Sequence, residues 1–542
     1  MYKRIVVFFS VIMASFCFCF FALDSISTKN RFREAAASQQ SYKLKIADVR
    51  GSIYDCRNIP LVNENKKLIA AVIPCMDSLS RLTAAVSPSK QKELYDKCQK
   101  RTPFTIEVEK NINSPGIRVF EVPVRYSGVT LCPHIIGYLS AEKKGLCGLE
   151  RAYEEYLSGE NQKVSVKYDI DASGKILPGG ENIIDDKSYC KSKGIVLNID
   201  SRIQAIAEES ANKFMDRGAV IVSKVPDCQI KASVSLPSFS PKRVSSYLED
   251  KNSPFLNRVL CSFNLGSIFK LVTAATALEK GVSENFIYDC PGSNEIEDFK
   301  FKCFNSKKHG SINMEQAIAY SCNGYFIELV KNKISKQDLT RMCNKFRLGQ
   351  ELAFSEGAGC NEGKLPSLES LDNPKNLANF SFGQGKLLAT PLQICGLINA
   401  IASDGIYAYP KLIKGFVDEN MKFFKNDFCS GLETKDRIIS TKIASKLKSF
   451  MKASVDYGTS SKGKPDDVEI AAKTSTAQTG IIENGVKIEQ SWFAGFFPYE
   501  NPRYSIVVLS EAGKGGAESA GPIFKDIVER MYKEVPEVFL DD

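Results

Sequence analysis

Leu265-Gly266-Ser267-Ile268-Phe269-Lys270 opens a run from Ser267 to Lys280 that reads as a helix closed by Gly281. Phe269, Leu271, Val272 and Leu278 give this helix an apolar side, and alanines fill much of the remainder. Ser267 in the first turn feels the positive end of the helix dipole, and Lys270, three residues on, lies on the same face one turn above it. A serine hydroxyl is a poor nucleophile until a base takes its proton. A lysine becomes that base when burial lowers its pKa toward neutrality. Taken alone, the pair reads equally well as an N-cap and a solvated side chain, so the rest of the chain has to supply the missing parts.

The 542 residues are enough for more than one domain, and 43% hydrophobic with 25% charged residues is the balance of a folded protein. The net charge of +9 is spread along the chain and suits contact with an anionic membrane or wall polymer. No nucleic-acid motif accompanies it, so no nucleic-acid partner is expected. His134 and His309 are the whole histidine complement, so a Ser-His-Asp triad would have to use one of them and a multi-histidine metal site is nearly excluded. The 17 cysteines include no Cys-x-x-Cys pair of zinc spacing, and neither a metal nor a cofactor is expected. Their odd total leaves at least one unpaired within the chain. Cys290 and Cys303 are a candidate disulfide, and most of the others read as small apolar core residues.

Met1-Tyr2-Lys3-Arg4 precedes an uncharged apolar run from Ile5 to Leu23. As a helix that run spans about 28 Å, close to the thickness of a bilayer's hydrocarbon core, and no clear cleavage site follows it. The expectation is an uncleaved single-pass anchor in a bacterial cell membrane. Residues 1–4 form a cytoplasmic tip held by Lys3 and Arg4, and the bulk of the chain lies outside.

Residues 24–41 are polar and read as a short helical stalk. Strand-like alternation starts at Tyr42, Arg50-Gly51-Ser52-Ile53-Tyr54-Asp55 follows, and mixed short elements with a helix near Lys90–Lys100 run to about residue 195. From Gly194 the pattern changes. Ile195–Ile199 is a strand, Asp200 caps a helix, and strands follow at Gly218–Ser223 and Ile230–Ser235. Asn313 and Gln316 form a capping box for a helix ending at Tyr320, which Ser321-Cys322-Asn323 interrupts before helix resumes at Tyr325. Thr390-Pro391 and Ser440 each open a helix, strands follow at Val468–Gln478, Ile488–Phe497 and Arg503–Glu511, and Pro522 starts a closing helix. Two strands early and three late predict one antiparallel sheet assembled from both ends and flanked by helices, an α+β fold. The expected domains are an anchor at 5–23, a mixed α+β pedestal at 24–195 and a catalytic domain at 196–542.

Three motifs now stand in order: Ser267-x-x-Lys270, Ser321-x-Asn323 and Lys473-Thr474-Ser475. Each is weak alone, but the ordered set marks penicillin-binding proteins and class A β-lactamases. On these motifs the chain resembles a class B penicillin-binding protein, a monofunctional peptidoglycan D,D-transpeptidase. The resemblance extends to Arg50–Asp55, Gly145-Leu146-Cys147-Gly148-Leu149-Glu150, Phe382-Gly383-Gln384-Gly385 and Trp492-Phe493-Ala494-Gly495-Phe496. His309-Gly310 also resembles a family landmark and carries no assigned chemistry.

The resemblance implies that Ser267 attacks a D-Ala-D-Ala stem peptide and holds it as an ester, with Lys270 as general base kept neutral by burial and by neighbouring Lys473. Ser321 would relay a proton to the leaving D-alanine, and Asn323 would hold Lys270 and the substrate amide. Lys473, with Thr474, Ser475 and Thr476, would bind the terminal carboxylate, and the N–H groups of Ser267 and Thr476 would form the oxyanion hole. The implied partners are peptidoglycan stem peptides, β-lactam antibiotics, the membrane and a glycosyltransferase of the wall-synthesis machinery.

Three positions depart from the family pattern: Ser475 in place of glycine, Leu265 in place of proline, and Asp227-Cys228 in place of a Thr-Gly turn. A side chain at 475 is expected to alter substrate fit or β-lactam affinity. Two other readings stay open: a β-lactam-hydrolysing or β-lactam-sensing relative, and a catalytically silent scaffold, which only Ser475 supports.

Overall fold

The computed structural model describes residues 2–28, 41–100, 102–112, 114–158, 163–171, 176–184, 193–483, 486–511 and 515–539. Contacts gather the chain into two units, one of residues 1–50, 65–125 and 158–192, the other of 51–64, 126–157 and 193–542. A single cut near residue 195, expected from the sequence, does not describe this partition. Ser52–Tyr54 runs parallel beside Gly194–Leu197, with Ile53 opposite Ile195, which draws the first early segment into the larger unit. The buried Asp55 fastens it: its carboxylate accepts from the Arg57 and Ile59 N–H groups, both at 2.8 Å, and from the Ser201 hydroxyl at 2.8 Å.

In the smaller unit, a helix covers Tyr2–Thr28, and within its stretch Tyr2–Ser27 an 18-residue window has mean hydropathy 2.6, so the helix is long and apolar enough to cross a membrane. The polar stalk expected at 24–41 begins inside this helix, and residues 29–40 lie outside the described residues. Two short helices, Met76–Thr83 and Gln91–Gln99, and two three-stranded antiparallel sheets follow among its described residues. Asn65–Val72 lies between Phe104–Val108 and Ile117–Val124, and Lys163–Ile170 lies between Ser41–Asp48 and Ile176–Ile184.

The larger unit is built on strands β1 (Gly218–Lys224), β2 (Gln229–Leu236), β3 (Ala471–Glu483), β4 (Val486–Phe497) and β5 (Tyr504–Ser510). Their order is β2-β1-β5-β4-β3, antiparallel throughout, so early and late segments share one sheet as the sequence predicts. The helices that matter to the site are α1 (Ser201–Phe214), α2 (Lys270–Glu279), α3 (Met314–Ala319), α4 (Asn323–Asn332), α5 (Pro391–Ala402), α6 (Thr441–Asp456) and α7 (Gly521–Glu534). Alternate strand residues face opposite ways. Val220, Val222, Ile506 and Val508 pack with Ile203 and Ile206 of α1 and Phe524 of α7. Ile221, Val507, Leu509 and Trp492 pack on the other face in the core that holds α2 and α5. Burial on both faces is why these strands read as near-continuous apolar runs. Trp492 is fully buried and its indole N–H donates to Asn264 O at 2.8 Å, so it belongs to the core.

Candidate active site

The nucleophile candidate sits in a tighter structure than the expected α-helical first turn. Gly266–Phe269 is one 3₁₀ turn, and α2 begins only at Lys270. Gly266 has φ +64°, and its N–H donates to Gly383 O at 2.8 Å. A Cβ at Gly266 would lie 2.3 Å from Ser475 Oγ, and one at Gly383 would lie 1.9 Å from Gly266 O. Both glycines are therefore required by close approach. The turn leaves Ser267 partly open while Leu265, Gly266, Ile268, Phe269 and Lys270 are buried. The N–H of Ser267 lies in a first turn, where helical carbonyl partners are lacking.

Lys270 is fully buried, and its Nζ has four oxygen neighbours: Ser267 Oγ at 3.1 Å, Ser321 O at 2.7 Å, Ser321 Oγ at 3.0 Å and Asn323 Oδ1 at 2.8 Å. The amide orientation of Asn323 is fixed by its Nδ2, which donates to Lys302 O at 2.9 Å. Two of the four neighbours, a carbonyl and an amide oxygen, can only accept. A neutral amine has two N–H donors, which these two acceptors take, and its lone pair is then left for a hydroxyl proton. Burial pushes Lys270 down to about 8, against a smaller opposing pull from the Cys322 and Cys303 thiols.

Ser321 bridges α3 and α4 with φ +55°, a left-handed conformation that a serine adopts only when its surroundings hold it there. The expected capping box at Asn313 and Gln316 is present. On its own the Ser321-x-Asn323 break reads as a plain helix end, but here both side chains reach Lys270.

Lys473 lies on β3, the edge strand, yet it is fully buried, which sets aside the reading of an exposed charge guarding an edge. Its Nζ donates to Thr474 O at 2.9 Å and Thr459 Oγ1 at 3.3 Å. Burial, and then the charge of Lys270, hold it well below the usual lysine range. The resemblance implies that burial and Lys473 together keep Lys270 neutral; in the structure burial is the leading cause at Lys270, and the repulsion between the two lysines lowers Lys473.

Thr474 Oγ1 bonds Thr459 Oγ1 at 3.0 Å, and its N–H donates to Ser460 Oγ at 3.2 Å. Thr476 Oγ1 accepts from Gly516 N–H at 3.1 Å, which leaves its own proton to offer a ligand. Ser475, grouped with these threonines by its motif, is committed to the chain instead: its buried hydroxyl donates to Leu265 O at 2.7 Å. That bond ties the third motif to the turn carrying the first.

Sequence reading passed over two sets of residues. Thr459 and Ser460 follow α6; the Thr459 N–H donates to Ala319 O at 2.9 Å, so this loop joins the end of α3 to Lys473 and Thr474. Their only signal is a Gly458-Thr459-Ser460 cluster, which reads as an ordinary helix end. The second is a gathering rather than single residues: Cys290 and Cys303, read as a candidate disulfide, and His309, read as a landmark, meet Cys322, and the four ligand atoms all lie within 4.8 Å of one another. The expected Cys290–Cys303 disulfide is not formed. Their Sγ atoms are 3.8 Å apart and both are free.

Residues 218–529, more than half of the chain, match the family described as penicillin binding protein transpeptidase domain. Stage V sporulation protein D of Bacillus subtilis is 26% identical over 538 residues, covering 93% of this chain and 80% of its own length. Peptidoglycan D,D-transpeptidase MrdA of Acinetobacter baumannii is 25% identical over 604 residues, with coverages of 96% and 86%. Penicillin binding protein 3 of Mycobacterium tuberculosis, solved in complex with aztreonam, aligns with a TM-score of 0.66 at 21% identity, over 91% of this chain and 97% of its own. At that identity the likeness is one of fold.

Proposed function

Since the chain belongs to the penicillin-binding protein transpeptidase family, we propose that it is a serine D,D-transpeptidase that cross-links peptidoglycan stem peptides through an acyl-enzyme on Ser267. The observation that carries this reading is the position of Lys270 Nζ, 3.1 Å from Ser267 Oγ and held by two oxygens that can only accept. Ser267 Oγ attacks the carbonyl carbon of the penultimate D-alanine as its proton passes to the Lys270 lone pair. The tetrahedral intermediate collapses and the C–N bond breaks. The departing amine takes a proton that Ser321 Oγ, 3.0 Å from Lys270, relays from the lysine. An amine of a second stem peptide then attacks the ester, Lys270 takes its proton, and Ser267 Oγ leaves with a proton restored. A β-lactam follows the first half only, because its leaving group stays tethered.

Lys473 and Thr476 receive the terminal carboxylate in this reading, and the N–H groups of Ser267 and Thr476 hold the oxyanion. An arriving carboxylate favours the charged form of Lys473 and offsets the burial that depresses it. Ser475 gives the silent-scaffold reading no support, because its hydroxyl is spent on the Leu265 carbonyl. Lys3 and Arg4 before the apolar helix set the N-terminus in the cytoplasm and the transpeptidase unit outside. The substrate is glycan already polymerised, so a glycosyl transfer has to supply it, and a membrane glycosyltransferase is the partner this implies.

The test is to treat the full-length protein in detergent with penicillin and map the adduct by mass spectrometry. One penicillin is expected on the peptide that contains Ser267; an adduct elsewhere, or none, overturns the reading. The pH dependence is a second check. Lys270 acts as a base only when neutral, and with a pKa of about 8 its neutral fraction grows as pH rises. The acylation rate at saturating penicillin should rise roughly 50-fold from about pH 6 to about pH 8 and then level off. The titratable groups facing Lys270 are Lys473 and the Cys303 and Cys322 thiols, and saturation removes the effect of Lys473 on carboxylate binding. A flat profile detaches Lys270 from the step.

A further inference from the structure

The loop after α6 ties the helix before the second motif to the strand of the third, and neither motif includes it. Gly458 has to be glycine, because a Cβ there would lie 2.3 Å from Ala319 O. The Thr459 N–H donates to that same carbonyl at 2.9 Å, two residues before Ser321. Ser460 is fully buried; its hydroxyl pairs with Ser454 Oγ at 2.8 Å and accepts from the Thr474 N–H at 3.2 Å. Thr459 is thus held from both sides, between the end of α3 and β3, and it is half-buried where Thr474 is buried.

Counting protons separates the hydroxyls around Lys473. A charged amine has three donors. Lys473 Nζ spends one on Thr474 O at 2.9 Å and one on Thr459 Oγ1 at 3.3 Å, and among the described residues the third has no partner. A hydroxyl has one proton and two lone pairs. Thr474 spends its proton on Thr459 Oγ1 at 3.0 Å. Thr459 Oγ1 therefore accepts from both Lys473 and Thr474, and its own proton has no acceptor among the described residues. Two unspent donors, an N–H and an O–H, sit on atoms 3.3 Å apart. A carboxylate accepts on two oxygens and can take one bond from each.

We propose that Thr459 is a carboxylate-binding residue: it holds Lys473 in place and donates its own hydroxyl proton to the terminal carboxylate of the substrate, the part that the third motif by itself would give to Thr474. The assignment rests on the transpeptidase reading above, which brings that carboxylate to Lys473. Thr459 contributes twice. As an acceptor its oxygen favours the charged form of Lys473 against burial. As a donor it adds a bond to an ionised group, the stronger kind of hydrogen bond. Thr474 supports it from behind the exchange, because the bond from Thr474 fills the second lone pair of Thr459 and leaves only the proton to offer.

The test compares penicillin with penicillin methyl ester, which has no anionic carboxylate, by stopped-flow acylation of Ser267 in the full-length protein in detergent. Wild type should acylate faster with the acid than with the ester. Thr459→Val, which keeps the shape and removes the hydroxyl, should shrink that preference about tenfold, chiefly through weaker binding of the acid. Thr459→Ser, which keeps the hydroxyl, should retain the preference within about threefold, and Thr474→Val should lower it by less than about threefold. Damage to the fold slows acid and ester alike and leaves their ratio where it was. A ratio unchanged in Thr459→Val therefore overturns the assignment while the transpeptidase reading stands. A ratio that falls tenfold in Thr474→Val and holds in Thr459→Val also overturns it and returns the part to Thr474. A wild-type protein that takes no penicillin at Ser267 overturns the transpeptidase reading and this assignment with it.

Discussion

Replacing Lys270 with methionine is expected to slow acylation of Ser267 by penicillin about 10⁴-fold, the upper range for loss of a general base. The fold should survive. Methionine has similar length and apolar character, and removing a fully buried amine relieves the desolvation that pushes its pKa down to about 8. Against that, Ser321 O and Asn323 Oδ1 lose their N–H donor, at about 1–3 kcal/mol each. The two effects oppose each other, so the melting temperature should move by only a few degrees. Lys270→Arg separates proton transfer from charge: a guanidinium donates to the same acceptors but cannot take a proton near neutral pH, so it should be as slow as methionine. The rates are read by stopped-flow with a fluorescent penicillin. Acylation within tenfold of wild type in either variant would remove Lys270 as the base.

What the sequence disclosed and what it hid divide along one physical line. β1 and β5 were legible because both faces are buried and turn residues bracket the apolar runs, and Asn313, Thr390 and Ser440 were legible because caps are written in adjacent residues. The three motifs were legible as an ordered set. What depends on distant partners was not. The parallel pairing of Ser52–Tyr54 with Gly194–Leu197 has no local mark, so the early segment was placed in the pedestal. Cys290, Cys303, His309 and Cys322 are spread over a pair of hairpins and a helix cap, and only the packed chain gathers them. Ser475 illustrates the same limit: its identity signalled a departure, but the partner of its hydroxyl, a carbonyl near the nucleophile, is fixed by tertiary approach.

That approach supplies the second large effect. Gly266→Ala should reduce acylation of Ser267 by about 10²-fold or more, because two costs fall on one residue. At φ +64° an alanine is less favourable by about 1–2 kcal/mol. Its Cβ would also stand 2.3 Å from Ser475 Oγ and 3.2 Å from the Ala477 Cβ. The serine hydroxyl can turn aside only by leaving Leu265 O, a buried bond of 2.7 Å whose loss costs about 1–3 kcal/mol. Any displacement of the turn carries Ser267 with it, and a shift of about 1 Å at the nucleophile is enough for a 10²-fold loss. Ser475→Gly alone should acylate within about threefold of wild type, since it removes one bond and adds no clash. Placed together with Gly266→Ala it should recover part of the rate, by opening the space at Oγ, but not the part owed to the left-handed backbone. A double-mutant cycle on the acylation rate measures that recovery. Simple additivity of the two substitutions would mean that the side chain at 475 does not press on the turn.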